Sequence, residues 1–362
     1  MDFDFSPDQY ALRDEARRFL AEQCPTSHVR GFTDDTGAWS KDLWKRMADL
    51  GWMALPFPEQ HGGLGQSPLD LVLLVEELGR AIAPVPFLSS VAFAGQAILR
   101  HGSDEQRARL LPSIAAGDRV ACLAIADDAD TFDEARVTCR AEPAGEGWRL
   151  SGEKRYVLDA PAADLFIVAA RAGDEVRWFA VDEPAAVHPK RAYDRTRTMG
   201  SVVLDGTPAE ALAVPGLQPA LRVATGLLCA EMVGTAGRIL EITVEYAGQR
   251  QQFGRPIGSF QAIKHKCAEM ATELEAARAA AYYACWASAS DAPDAEVAAS
   301  IAKSYISDAF GHLGGEGVQI HGGIAFTWEH DMHLYLRRLK TAQVLLGDAS
   351  YHRERIAQLA GL

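Results

Sequence analysis

The sequence RQQFGRPIGSFQ occupies residues 250–261 and separates two long stretches with a helical composition. Ala, Leu, Glu, Lys and Arg dominate these stretches, and all five residue types favour helix. The helical stretches after Pro215 are residues 217–250, 260–290, 294–313, 331–345 and 349–359. Helices in series bury their apolar faces against one another, so residues 215–362 are predicted to form a helical bundle domain.

The first third of the chain also has the pattern of helices. Ser6 can serve as an N-cap, Pro7 suits the first helical position and Gln9 suits the third. The other helical stretches in this part are residues 40–50, 67–79, 86–100 and 103–115. We therefore predict an all-α domain over residues 1–117.

The middle of the chain has a different texture, because short apolar runs alternate with Gly, Pro and Asp at roughly ten-residue intervals. The runs are residues 120–125, 137–141, 148–151, 165–170, 176–181 and 201–204. This spacing is typical of a small β-barrel or β-sandwich, here over residues 118–214. The predicted fold class is therefore α+β, with two helical domains around a β domain.

The composition limits the possible functions. The chain has 36 Lys and Arg against 49 Asp and Glu, which gives a formal net charge of −13. Nonspecific nucleic-acid binding requires basic side chains that neutralise phosphates, so this balance argues against it. The N-terminal MDFDFSPDQY lacks the apolar core of a signal peptide, and no run of about 18 apolar residues is evident. We expect a cytoplasmic protein that binds neither nucleic acid nor membrane.

The cysteines indicate neither a disulfide framework nor a metal site. None of the six forms a CxxC pair or has a zinc-ligand spacing with histidine. They are Cys24, Cys122, Cys139, Cys229, Cys267 and Cys285. We expect buried free thiols in a reducing compartment and no bound metal.

Three motifs carry a resemblance to a known family. Residues 250–261 resemble the signature RxxFGxxIxxFQ of the acyl-CoA dehydrogenases, and QIHGGIAF at 319–326 resembles the signature QxxGGxGF. The sequence GWRLSGEK at 147–154 is similar to the G-(W/Y)-x-(L/I)-x-G-x-K stretch of the same family. With the α–β–α order, the likeness covers nearly the whole chain. It implies the acyl-CoA dehydrogenase fold, in which the C-terminal helical domain is a four-helix bundle. It also implies α,β-dehydrogenation of an acyl-CoA thioester with FAD.

The resemblance places the adenylate side of FAD on the two late motifs. The planar guanidinium of Arg250 can bind a pyrophosphate through two hydrogen bonds. In the family this arginine reaches the FAD of a neighbouring subunit, and Phe253 packs nearby. Gln261 and Gln319 can hydrogen-bond the adenylate half. The alternative for Arg250 is a solvated charge at a helix end.

The double glycine of the second motif has two interpretations. Gly322 and Gly323 lack two Cβ atoms, which lets backbone approach a cofactor closely. The same pair can instead end a helix.

The catalytic base of the family is absent from its two usual positions. Counted without gaps, the usual glutamate position falls on Leu346, and the position that other members use on the preceding long helix falls on Ala224. Neither side chain can accept a proton. Two nearby carboxylates are weaker candidates, Asp348 and Glu231. Asp348 can instead be the N-cap of the last helix, and Glu231 can instead be paired within the bundle.

The flavin-ring contacts of the family are also changed. A T-E-P-x-x-G-S-D-like stretch is replaced by AIADDAD at residues 124–130, whose acidic residues are unfavourable near phosphates. A Trp-Ile-Thr triplet is replaced by Tyr156, Val157 and Leu158. Tyr156 can still stack on a ring, whereas Leu158 lacks the hydroxyl.

This combination resembles the degenerate subunit of actinobacterial heterotetrameric acyl-CoA dehydrogenases, in which another chain supplies the base. The resemblance implies an acyl-CoA substrate, a homologous partner subunit and electron-transfer flavoprotein as electron acceptor. Two alternatives stay open: a self-sufficient homo-oligomeric dehydrogenase with a non-standard base, and a non-catalytic scaffold or binding protein. Fold alone cannot choose among the three, because function depends on the site.

Overall fold

The structure is a computed structural model that describes residues 5–35, 37–127 and 132–362. Contacts group the chain into two compact units, each continuous in space but not in sequence. The helical unit comprises Met1–Arg30, Val72–Ala83 and Gly226–Leu362, and the barrel unit comprises Gly31–Leu71 and Pro84–Thr225. The domain boundaries expected near residues 117 and 214 stay predictions, since this grouping follows contacts rather than chain order.

The described residues form eleven α-helices and nine strands. The helices are α1 (Pro7–Gln23), α2 (Thr26–Arg30), α3 (Lys41–Asp49), α4 (Pro68–Arg80), α5 (Gly95–His101), α6 (Asp104–Ala115), α7 (Gln218–Gln249), α8 (Gln261–Ala289), α9 (Ala295–His321), α10 (Met332–Val344) and α11 (Ala349–Leu359). The strands are β1 (Ala121–Ala124), β2 (Arg140–Ala144), β3 (Gly147–Leu158), β4 (Leu165–Ala172), β5 (Glu175–Val181), β6 (Ala186–Pro189), β7 (Met199–Ala211), β8 (Gln251–Gln252) and β9 (Arg255–Pro256).

The start of α1 confirms the cap predicted from sequence. The Gln9 backbone N–H donates to Ser6 Oγ at 3.2 Å, and the Ser6 backbone N–H donates to Gln9 Oε1 at 2.8 Å. This reciprocal pair satisfies two backbone donors that the first helical turn leaves unpaired. Pro7 follows at the first helical position, where its missing N–H costs nothing.

The predicted end of α9 at residue 313 was wrong, because the helix continues to His321. Its glycines suggested a break, but they serve packing instead. A Cβ at Gly314 would lie 2.9 Å from Leu336 Cδ1, and a Cβ at Gly317 would lie 2.9 Å from Ile239 Cγ2. Glycine at these positions therefore allows close contact with side chains of α10 and α7, despite its poor helix propensity.

The barrel unit contains a closed sheet, which corresponds to the barrel alternative of the prediction. Strand β4 pairs with β5, β5 with β7, β7 with β3, β3 with β2, and β2 with β4. Strands β1 and β6 join this circuit by pairing with β4 and β7. Alternate side chains such as Leu150, Phe166 and Phe179 form the core. The short β6 was missed in the sequence, because its residues are mostly exposed and lack an apolar run.

The barrel unit contains a buried ion pair. Lys154 Nζ lies 2.6 Å from Asp127 Oδ1 and donates to the Ile125 carbonyl at 2.8 Å. Asp127 Oδ2 accepts from the backbone N–H groups of Thr138 and Cys139. A buried ammonium therefore balances the charge of Asp127. That this stretch is unfavourable near a cofactor phosphate stays a prediction. Residues 128–130 of the same stretch lie outside the described residues.

Helix α7 is the longest apolar helix that the structure describes. By length and composition α7 could cross a membrane, with a mean hydropathy of 1.3 in its most apolar window. However, 83% of that window is buried inside the structure, as in the core helix of a soluble protein.

All six cysteines are free and five are buried. Burial raises the pKa of Cys229 to about 12, so this thiol stays protonated.

Within the helical unit, α4 and α7 cross in direct backbone contact. A Cβ at Gly234 would lie 1.8 Å from the Glu76 carbonyl oxygen, and a Cβ at Gly79 would lie 2.1 Å from the Glu231 carbonyl oxygen. The Thr235 hydroxyl donates to the Gly79 carbonyl at 2.9 Å. Both glycines are therefore required by packing.

This crossing predicts opposite effects for two alanine substitutions in one helix. Gly234→Ala should lower the free energy of unfolding by about 2 kcal/mol or more, because the new Cβ has no space. Gly237→Ala should raise it by up to about 1 kcal/mol, because its Cβ meets only Leu274 Cδ2, at an ordinary 3.8 Å. Urea melts of both variants measure the two changes. Equal effects of the same sign would contradict the crossing.

Candidate functional site

The motif at residues 250–261 forms an exposed hairpin at the end of α7. Gln251 and Gln252 of β8 pair with Pro256 and Arg255 of β9. The two turn residues between the strands, Phe253 and Gly254, have φ values of 54° and 75°. Positive φ at both positions is the requirement of a two-residue type I′ turn.

Phe253 has an unfavourable backbone conformation and an unfavourable exposure for an aromatic residue. A bulky residue at positive φ is a genuine backbone outlier, and the side chain is 90% exposed. Its one ring contact is an edge-on approach to Phe260, with centroids 6.1 Å apart. Backbone strain combined with apolar exposure is typical of a binding surface, so we expect Phe253 to be covered in the functional assembly.

Arg250 and Gln261 bracket this hairpin, and both are exposed. The backbone N–H of Arg250 donates to the Tyr246 carbonyl and its own carbonyl accepts from Ile257, so the backbone is fixed while the guanidinium faces solvent. Gln261 is the first residue of α8, and its Nε2 lies 3.4 Å from His265 Nε2.

The second motif begins on the last turn of α9. Gln319 is exposed on that turn, and Gly322 ends the helix with φ 68° and ψ −148°, which only glycine adopts readily. The helix-stop interpretation therefore accounts for Gly322. It does not account for Gly323, whose φ is ordinary and whose added Cβ would meet nothing within 4 Å. Open space over this backbone fits a close approach by a bound group.

A stacked pair that the sequence did not reveal brings the two motifs together. Tyr246, one turn before Arg250, stacks on His321, directly before Gly322, with ring centroids 4.4 Å apart. His321 Nδ1 also lies 2.7 Å from the Gly317 carbonyl oxygen. Burial lowers the pKa of His321, so the ring stacks in its neutral form. The sequence offered one signal for Tyr246, which lies four residues before Arg250 and therefore on the same face of the predicted helix.

Tyr156 belongs to the barrel unit, and its local backbone leaves the aromatic ring accessible at the surface. It lies in an irregularity of β3 between Lys154 and Val157, with φ 53° and half of its surface exposed. A β-bulge of this kind re-aims a side chain. Leu158, which replaces a hydroxyl residue of the family, is buried in the barrel unit.

Neither usual base position can work as a proton acceptor here. Ala224 is 0% exposed and Leu346 is 6% exposed. Two buried side chains hydrogen-bond to the loop around Leu346. Lys303 Nζ donates to the Gly347 carbonyl at 2.7 Å, and His352 Nε2–H donates to the Leu346 carbonyl at 3.0 Å. Burial lowers the pKa of Lys303 to about 8 and that of His352 to about 4.

The two substitute carboxylates are both engaged in structural contacts. Asp348 caps α11, because its Oδ1 accepts from the Tyr351 backbone N–H at 2.8 Å. Glu231 is buried, and its Oε1 lies 3.2 Å from Nη1 of Arg338, which is 1% exposed. These are the structural alternatives raised for each residue. A role for either as catalytic base stays a prediction.

The helical unit therefore presents a guanidinium, two amides, an aromatic ring and an open glycine backbone on its surface. Such donors suit the phosphates and base of a dinucleotide. A closed barrel inserted between helical segments completes the architecture of a flavin-dependent dehydrogenase. The family model described as acyl-CoA dehydrogenase, N-terminal domain, matches residues 6–118, and that of the C-terminal domain matches residues 217–360. The chain belongs to the acyl-CoA dehydrogenase family.

Individual relatives agree over nearly the full length. Acyl-CoA dehydrogenase IpdE2 of Mycobacterium tuberculosis is 34% identical and aligns over 92% of each chain. Among solved structures, the Tcur3481-Tcur3483 steroid ACAD variant is 31% identical, with TM-score 0.91 over 98% of both chains. The ChsE4-ChsE5 complex of Mycobacterium tuberculosis is 28% identical, with TM-score 0.92 over 100% of this chain and 99% of that one.

FAD is the cofactor of this protein. The FAD complex of PigA is 26% identical and superimposes with TM-score 0.90 over 100% of both chains. The residues on the adenylate side fit this group, because Gly323 leaves space and the polar side chains around it are exposed. On the ring side Tyr156 offers a stacking surface, whereas the Leu158 side chain is buried and carries no hydrogen-bonding group.

The contact between His352 and the Leu346 loop predicts an acid-sensitive stability. The folded pKa of about 4 lies below the ordinary 6.5, so the unfolded chain takes up the proton first as the pH falls. The free energy of unfolding should drop by about 2 kcal/mol at this group between pH 7.5 and pH 5. Urea melts at both pH values measure it.

His352→Gln should remove this part of the pH dependence while its amide still donates to the Leu346 carbonyl. The exposed His188→Gln is the matched control and should keep the wild-type slope. A wild-type slope in His352→Gln would show that the imidazole does not titrate in this window.

Proposed function

We propose that this chain is the base-lacking subunit of a heteromeric acyl-CoA dehydrogenase and holds the adenylate half of FAD for a site completed by a homologous partner. The observation that carries the proposal is the contrast between two regions. The adenylate-side residues, Arg250 and Gln319 among them, are present and exposed. The base positions hold Leu346 and Ala224, which are apolar and buried.

The reaction of the family defines what this chain lacks. In that reaction a carboxylate removes the α-proton of an acyl-CoA thioester, and FAD, when bound, would supply the acceptor for the β-hydride. General-base catalysis of this type contributes ~10²–10⁴ in rate. Asp348 is committed to a helix cap and Glu231 to an arginine, so we infer that the base comes from the partner chain.

The retained residues act by binding and orientation. Arg250 would pair its two-pronged guanidinium with the pyrophosphate, and Gln261 and Gln319 would hydrogen-bond the adenylate half. Phe253 would be buried against the ring system or the neighbouring subunit. The open backbone at Gly323 would let the cofactor approach without a steric clash.

Relatives support the partner and substrate class. ChsE4-ChsE5 is a complex of two named components, and the Tcur3481-Tcur3483 protein is described as a steroid ACAD. We propose by analogy a steroid-derived or other bulky acyl-CoA as substrate, electron-transfer flavoprotein as acceptor, and a cytoplasmic location.

Co-expression with a homologous subunit that has the family glutamate tests the proposal. The expected product is a mixed oligomer that carries FAD and is bleached by an acyl-CoA, whereas this chain purified alone is inactive. Native mass and flavin absorbance measure both. A chain that is yellow and bleached by acyl-CoA when pure would instead establish a self-sufficient dehydrogenase. A colourless complex with every homologous partner would establish a scaffold.

Arg250→Ala should strip FAD from the assembly. Loss of two charge-assisted hydrogen bonds should weaken FAD binding by about 100-fold. Arg353→Ala is the matched control, because Arg353 pairs with exposed Asp308 on another surface and should keep full flavin content. Unchanged flavin content in Arg250→Ala would contradict the cofactor assignment.

A further inference from the structure

The helical unit contains a pocket of about 420 Å³ that the proposed FAD contacts do not use. It lies among α1, α4, α7 and α8. Its lining includes the leucines Leu73, Leu240 and Leu274 and the aromatic residues Phe5, Tyr10 and Tyr282. Phe5 meets Tyr282 edge-on, with ring centroids 5.0 Å apart.

Four arginines line the same pocket, and carboxylates hold them in place. Arg17 donates twice to Glu77, which is 1% exposed, and Arg80 donates twice to Glu241. Arg278 donates to Glu76, and Arg13 donates to Asp14. The guanidiniums are therefore oriented before any ligand arrives, which reduces the entropy cost of binding.

Four arginines and three carboxylates line this pocket, and the third carboxylate, Glu275, accepts from Arg278 Nε at 3.3 Å. Glu76 already accepts from Arg278 and Tyr282, and Glu241 accepts from Arg80 and Arg238. In contrast, the Nη1 groups of Arg13 and Arg17 and the Nη2 group of Arg278 have no partner among the described residues. Unused guanidinium N–H groups favour an acceptor-rich anion such as a carboxylate.

A helix glycine provides independent evidence that this space is kept open. Gly237 lines the pocket from the middle of α7, where glycine costs about 1 kcal/mol relative to alanine. Packing explains its neighbour Gly234 but not Gly237, whose Cβ would meet only Leu274 Cδ2 at 3.8 Å. A larger side chain would therefore enter the pocket rather than a neighbouring helix.

We propose that this pocket is a binding site for a small carboxylate with a flat apolar body, separate from the proposed FAD contacts. The flat apolar body of the ligand would contact the leucine and aromatic side chains that line the pocket. The carboxylate would accept from the unpaired N–H groups of Arg13, Arg17 and Arg278. The site does not depend on the proposed subunit role, because all of its lining residues belong to the helical unit of this one chain.

Calorimetric titration of the protein in its native assembly with 2-naphthoate tests the proposal. We expect saturable binding below about 1 mM and no binding of neutral 2-naphthalenemethanol at the same concentration. Gly237→Leu should abolish binding by filling the pocket, and Arg13→Gln should weaken it by about tenfold. Neither variant should change the flavin content.

Two controls separate this site from general effects. Arg107→Gln breaks a comparable arginine–aspartate contact, with Asp104, outside the pocket, and Gly315→Leu fills open space on α9. Both should bind 2-naphthoate like the wild type. Absence of saturable binding, equal binding of the neutral alcohol, or full binding by Gly237→Leu would each overturn the proposal.

Discussion

The helical unit depends on the backbone contact between α4 and α7. Gly79 and Gly234 let the two helices approach until carbonyl groups occupy the space of absent side chains. That crossing fixes Glu231 beside Arg338, whose Nη2 also donates to the carbonyl of Ile82, a β-branched residue at φ 44°. Removing one partner of a buried ion pair lowers the free energy of unfolding by several kcal/mol. The Glu231 carboxylate therefore has a structural role in the helical unit.

The division between binding and catalysis follows from local structure. The residues proposed to hold the adenylate half lie where α7 and α9 end, and helix ends leave side chains and glycine backbone free to contact a ligand. The loop that carries the base in other family members is held here by Lys303 and His352, and it presents the apolar Leu346. In the proposed division of labour, the chain keeps a cofactor surface and leaves removal of the proton to its partner.

The sequence predicted most of the fold because long periodic helices and a capping box are local signals. It missed β6, whose exposed residues have no apolar pattern, and it ended α9 early because helix-packing glycines resemble breakers. For the site, motif spacing identified Arg250, but the stack of Tyr246 on His321 depends on tertiary approach. Likewise, the ammonium that neutralises Asp127 comes from another strand, 27 positions away in sequence.

The central claim is that this chain binds the cofactor and the partner removes the proton. The most direct measurement compares the turnover of two versions of the assembled complex. One carries Asp348→Asn in this chain, because asparagine can still cap α11, and the other carries glutamine for glutamate at the partner's base position. The account predicts turnover within about twofold of wild type in the first and a loss of ~10²–10⁴ in the second. A loss of that size in the first complex, with flavin content and mass intact, would contradict it.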